Sequence, residues 1–125
     1  MSIKYSILSI KKTREGEERH YAKAVYGQTI DSKQLEREIQ YSTTLTPTDI
    51  KACLSALSAQ IKQHLKDGDS IHLEGIGYLK VSLQCLPEMN PERPSGRFVE
   101  VKSVRFRPEK QLLNDLKDTP FVLAK

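Results

Sequence analysis

GDSIHLEGIGYLKV, residues 68–81, places two glycines, Gly75 and Gly77, between two runs of alternating apolar and polar residues. Ile71 and Leu73 flank His72 ahead of the pair, and Leu79, Val81 and Leu83 alternate with Tyr78, Lys80 and Ser82 behind it. A phosphate-binding loop needs a glycine-rich turn that opens into a helix, whose free N–H groups face the anion. Here the glycines lead into LKVSL, a strand pattern with no GK[ST] after it. Glycine between two short strands marks a tight corner, where positive φ or close backbone approach is required. The stretch therefore predicts two strands meeting at a corner and argues against a nucleotide enzyme.

Upstream, TLTPTD carries a helix start. Thr46 suits the cap, Pro47 the first helical position, and Asp49 the positive helix end. The helix that follows has a broad apolar stripe of Ile50, Cys53, Leu54, Leu57, Ile61 and Leu65, and Gly68 fits the left-handed residue that ends it. Before it, DSKQLEREIQYS (31–42) predicts a short amphipathic helix with Asp31 as its cap and Leu35 and Ile39 one turn apart. Residues 2–10 and 19–26 are strand-like on either side of a charged loop containing Gly16, which predicts a hairpin with Tyr5, Tyr21 and Tyr26 packed across it.

Downstream, QCLPEMNPERPSGR (84–97) interrupts the alternation with three prolines and a glycine, and FVEVKSVRF (98–106) resumes it. Pro108 then allows a closing helix with Leu112, Leu113 and Leu116 on one face, and TPFVLAK is a tail that docks or frays.

The composition, 29% charged and 38% hydrophobic over 125 residues, suits one soluble globular domain with a modest core. No apolar run is long enough for a membrane span, and the N-terminus does not read as a signal peptide. Cys53 and Cys85 are isolated, which predicts reduced thiols and neither a disulfide nor a metal site. His20, His64 and His72 are scattered, and Glu36 and Glu38 read as a solvated helix face, so no catalytic constellation is announced. Net charge is +4, unevenly spread: residues 1–30 carry +3, residues 31–68 are neutral and residues 99–110 carry +2. Such clustering is a weak electrostatic footprint for nucleic acid, and an ordinary solvated surface accounts for it equally well.

Taken in order, these features resemble the HU/IHF family of bacterial histone-like DNA-binding proteins. The family's signature reads roughly G-D-x-[VI]-x-L-x-G-[FI]-G-x-[FL]-x-V, here GDSIHLEGIGYLKV, and its closing motif V-x-F-[KR]-P-G-[KQ]-x-L, here VRFRPEKQL at 104–112. Between them lies an arm with N-P near its tip, here Asn90-Pro91. The resemblance implies an α+β fold of a helix and a long helix at the base, a three-stranded sheet with an extended β-arm and a C-terminal helix. It assigns residues 30–118 to the HU-like domain, 1–29 to an N-terminal hairpin extension and 119–125 to a tail. It further implies a cytoplasmic, nucleoid-associated homodimer that binds and bends double-stranded DNA through the minor groove without sequence specificity. No reaction, cofactor, metal or small-molecule substrate is implied. By position, Asn90, Pro91, Arg93, Arg97 and Met89 match the arm, Pro91 as an intercalating wedge. Arg105, Arg107 and Lys110 match the saddle that holds phosphates, with Lys80 and Lys102 on neighbouring strands. Ile50, Leu54, Leu57 and Ile61 match the dimer interface.

The chain also departs from the pattern. The family arm is rich in basic residues before N-P, whereas SLQCLPEM (82–89) has none and carries Glu88. Met89 stands where Arg is usual, and Glu109 replaces the glycine of the closing motif. Fewer neutralised phosphates mean weaker binding and a shallower salt dependence. Either the N-terminal basic excess (Lys4, Lys11, Lys12, Arg14, Arg19) compensates, or the fold serves as a dimeric scaffold for protein association with little DNA affinity. Leu86 and Met89 read either as further apolar wedges or as packing within the arm.

Overall fold

The structure is a computed structural model that describes residues 1–11, 16 and 18–124, without the side chain of Lys11. Lys12 and Arg14, two of the basic residues named above, lie outside the described residues. The chain divides into two compact units, Met1–Asp31 with Asn114–Lys125, and Ser32–Leu113.

The first unit is built on a three-stranded sheet. Strands β1 (Ile3–Lys11) and β2 (Glu18–Val25) form the expected antiparallel hairpin. The tail docks: Phe121–Leu123 is β6, parallel to β1, which makes the strand order β2-β1-β6. The tyrosines do not share one cluster. Tyr5 pairs with Ala24, while Tyr21 pairs with Leu8 three positions along β1 and so on the opposite face. Tyr26 lies beyond β2 and is 86% exposed.

In the second unit α1 (Ser32–Ser42) begins one residue after Asp31 and packs on α2 (Pro47–Lys66). Thr46 caps α2 as expected. Its Oγ1 accepts from Asp49 N–H at 3.2 Å and donates to Asp49 Oδ2 at 2.7 Å, so cap and third residue satisfy each other. The C-terminal end closes on Gly68, at φ +84°: Gly68 N–H donates to Leu65 O and Asp69 N–H to His64 O, the paired bonds of a Schellman motif. His64 Nδ1 and Asp69 Oδ2, 3.0 Å apart, tie the same turn through side chains.

The glycine corner then forms. β3 (Ile71–Leu73), β4 (Gly77–Cys85) and β5 (Val99–Pro108) make an antiparallel sheet in that order. Ile76 N–H returns to Leu73 O, and Gly75 sits at φ +80°, the third position of a type II turn that only glycine occupies without cost. Gly77 serves a different need. A Cβ there would lie 2.3 Å from Arg107 O and 2.8 Å from the Phe106 ring. Farther along, β5 has two adjacent polar residues, Lys102 and Ser103, that break its alternation. The ladder absorbs them as a bulge: Ser103 pairs with Ser82 and Val101 with Leu83, leaving Lys102 as the extra residue. Val101 thereby stays on the apolar side with Val104 and Phe106. α3 (Lys110–Lys117) follows β5.

Ile50, at the start of α2, is the single fully buried side chain among the described residues. On the apolar side of the sheet Leu83, Val101, Val104 and Phe106 are each more than half exposed. With Ile61 and Leu65 of α2 the first three border an open groove of about 880 Å³.

Gly77→Ala is expected to destabilise the protein by about 1–3 kcal/mol, the usual cost of overpacking, and Gly68→Ala by about 1–2 kcal/mol through the left-handed backbone alone. Urea denaturation of the two variants checks the order of the two effects.

Candidate nucleic-acid interface

Strand register assigns the side chains of the β3-β4-β5 sheet to two faces. One face carries Leu79, Val81, Phe106 and Val104 in opposed pairs. The other carries Tyr78 opposite Arg107, Lys80 opposite Arg105 and Ser82 opposite Ser103. The two serine hydroxyls lie 2.9 Å apart. Lys80 and Arg105 are like charges directly across a strand pair, an arrangement that costs stability unless an anion bridges it. Among the described residues neither has an ion-pair partner. Together with Arg107 and Ser70 they line a concavity of about 360 Å³. Lys102 adds a cation at the bulge, and Lys110, exposed, opens α3.

At the corner end, this face is ordered by a row of side chains that crosses all three strands. His72 stacks on Tyr78 with ring centroids 4.4 Å apart and planes 10° from parallel. The Arg107 guanidinium lies over the Tyr78 ring, 4.6 Å from its centroid. Glu109 anchors the row. Its Oε1 accepts from His72 Nε2 at 3.0 Å, its Oε2 accepts from Gly75 N–H, and its own N–H donates to Ile76 O. The hydrogen bonds from His72 and Gly75 hold the Glu109 carboxyl below its ordinary value of 4.5, against a smaller opposing effect of burial. The departure from glycine in the closing motif thus has a structural use: a carboxylate joins the glycine corner to the start of α3.

The segment between β4 and β5 is a folded loop. Leu86 N–H bonds Phe98 O at its neck, and Met89 N–H returns to Leu86 O over Pro87. A second turn follows at the tip: Arg93 N–H donates to Asn90 O, and Asn90 Oδ1 accepts from Glu92 N–H. Pro91 is therefore the second residue of a turn that Asn90 closes through both its backbone carbonyl and its side chain, and it is exposed. A 3-10 turn, Gly96–Phe98, is capped by Ser95, whose Oγ accepts from Arg97 N–H. Leu86, Met89 and Phe98 are half-buried, while Arg93 and Arg97 are exposed, Arg97 resting 5.8 Å above the Phe98 ring.

Of the residues matched to a dimer interface, Ile50 is covered by its own chain at 2% exposure, Leu54 and Ile61 are half-buried, and Leu57 is 45% exposed. The polar sheet face collects Lys80, Arg105 and Arg107, and the loop holds Asn90, Pro91, Arg93, Arg97 and Met89 in one short segment. No local motif announces the row from His72 to Arg107. Its signal is the alternation itself, which puts His72 and Tyr78 on one face. Among the described residues no cluster of His, Cys, Asp or Glu can hold a metal, and no helix is long and apolar enough to cross a membrane.

Because the Glu109 pKa is lowered on folding, its bonds stabilise the protein fully above the unfolded value of 4.5, and the contribution is lost as pH falls through the lower folded value. Glu109→Gln is expected to lower the melting temperature at neutral pH and to flatten its fall below pH 4.5. Thermal unfolding of both proteins across that range checks it.

A family model described as "HU domain fused to wHTH, Ig, or Glycine-rich motif" matches residues 1–122, so the hairpin and β6 fall almost wholly inside the match. No curated protein matches the chain significantly. Among solved structures the chain is similar to a protein of Bacteroides vulgatus ATCC 8482, provisionally named a bacterial DNA binding protein. The TM-score is 0.72 at 11% identity, over 98% of this chain and 48% of that one. At that identity the likeness is one of fold, and the chain spans about half the length of that protein. With the glycine corner, the proline-bearing loop and the closing helix in the family's order along a match of nearly full length, the chain belongs to the HU-HIG family of HU domains.

Proposed function

We propose that the protein binds double-stranded DNA as a homodimer, without sequence specificity, and bends it. The observation that carries the reading is the polar face of the β3-β4-β5 sheet, where Lys80, Arg105 and Arg107 stand together and no carboxylate among the described residues pairs with them. Such groups suit phosphates, which position a protein without reading sequence. Lys102 and Lys110 extend the basic surface. In this reading residues 30–118 are the DNA-binding part. Pro91, held at the tip by Asn90, is the minor-groove wedge, with Met89 and the cations Arg93 and Arg97 beside it. A DNA-binding role also accords with the family and with the provisional name of the Bacteroides vulgatus protein. It makes the protein a nucleoid component and requires neither cofactor nor catalysis.

Dimerisation is supported by the surface balance. The chain exposes 11272 Å². Two compact bodies with the masses of its two units would together expose roughly 8,000 Å². The difference is roughly 3,000 Å² on each chain, and counted over two copies it is at or beyond the upper end of what obligate interfaces cover. In the second unit the exposed apolar side chains include Leu83, Val101, Val104 and Phe106 on the sheet face and Leu57 on α2; in this reading a second copy's α2 fills the groove beside Ile61, and Leu54 and Leu57 complete the interface.

A second reading, a dimeric scaffold that binds protein, is favoured by the loop, whose first half is acidic rather than basic, with Glu88 and Glu92.

Light scattering is expected to give twice the 14.2 kDa of the chain. Fluorescence anisotropy is expected to show salt-sensitive binding, tighter to a four-way junction than to a random duplex. Arg105→Ala combined with Arg107→Ala should weaken every sequence alike and reduce the salt slope by about two, near one for each phosphate no longer neutralised. Pro91→Ala should reduce bending of linear duplex while sparing affinity for the junction. A dimer with no DNA binding at low salt would move the assignment to the scaffold.

A further inference from the structure

The polar face raises a question of geometry. Arg107 is on the last strand of a small sheet, its side chain is long, and no carboxylate among the described residues holds it. A free arginine samples many rotamers and loses that freedom when it meets a phosphate. Here it is already placed. Tyr78, directly opposite in the β4–β5 ladder, offers its ring 4.6 Å below the guanidinium. The far face of that ring is covered by His72, directly opposite in the β3–β4 ladder, at 4.4 Å. His72 is held in turn by Glu109 at 3.0 Å. Tyr78 thus has an aromatic neighbour on one side and a cation on the other, so it has no open face for stacking a base.

We propose that Tyr78 and His72 are positioning residues that preorganise Arg107 for a DNA backbone phosphate, with Glu109 fixing the far end of the row; the proposal rests on the DNA-binding reading above. A guanidinium over a ring can lay its flat face on the ring and keep its in-plane N–H groups free for a phosphate, so arginine there both stacks and donates. The effect is on the affinity of one phosphate contact and not on the number of phosphates bound. Tyr78→Leu should therefore weaken binding while leaving the salt slope almost unchanged, whereas Arg107→Ala changes both. Tyr78→Phe, which keeps the ring, should bind as the unaltered protein does.

The test is a double-mutant cycle on the full chain with a random-sequence DNA duplex. Tyr78→Leu is expected to weaken binding about two- to fivefold, the size of an exposed cation–π interaction. In an Arg107→Ala background it should add nothing. A loss of the same size in both backgrounds, or Tyr78→Phe failing as badly as Tyr78→Leu, would overturn the proposal, because a merely structural role gives those results. A second measurement needs no DNA. The Arg107 Nε–H proton of the free protein should show an upfield ring-current shift that Tyr78→Phe preserves and Tyr78→Leu abolishes. Absence of that shift overturns the positioning role even if DNA binds. Its presence in a protein that binds no DNA supports the stack and refutes the DNA-binding reading instead.

Discussion

At Gly77 the backbone of β4 lies so close to the carbonyl of Arg107 and the ring of Phe106 that no side chain fits between them. Much of the second unit follows from that close approach. It holds the start of β4 against the end of β5, and from there the ladder runs in one register from Gly77–Pro108 to Ser82–Ser103. Register decides which face each side chain takes, since a slip of one residue would exchange the two faces. The apolar side that shares a groove with α2 and the cationic side opposite are thus two results of one steric constraint. Gly75 and Glu109 reinforce it, one by turning the chain and the other by bonding the turn to the residue after β5.

Much of this is legible in the residues. Alternation around the glycines marks the strands, Thr46, Pro47 and Asp49 mark the start of α2, and Gly68 marks its end, because each feature acts within a few positions. What stays hidden depends on pairing over long sequence separations. Glu109 reads as a replaced glycine, since nothing local says that its carboxylate reaches His72 and Gly75. The docking of Phe121–Leu123 beside β1 is open in the sequence for the same reason: a short apolar tail can join any free sheet edge. Tyr26 groups with Tyr5 and Tyr21 on aromatic character alone, but the strand stops at Val25, short of it.

The candidate site is partly legible as well. The basic residues near the end of β5 are visible as a charge cluster, and the ladder sets Lys80 opposite Arg105. The loop between β4 and β5 is harder to read. Its prolines announce a break, but only the backbone bonds reveal two successive proline turns, LPEM and NPER, above a neck closed by Leu86 and Phe98. A tip built from such turns has little conformational freedom left to lose on meeting a ligand, which offsets in part the absence of basic residues from Ser82 to Met89.

The bulge at Lys102 also sets where that tip points. A bulge bends its strand and tightens the local twist, so the last rungs of the ribbon, from Leu83–Val101 to Cys85–Val99, leave the base of the sheet in a new direction. Those rungs span only about 7–10 Å, yet they carry the whole loop, and the bulge works as the fulcrum of a short lever. Small differences in twist at this single point would be magnified into displacements of Pro91. Related chains could re-aim the tip by adding or deleting one residue in β5, leaving the sheet faces below it untouched.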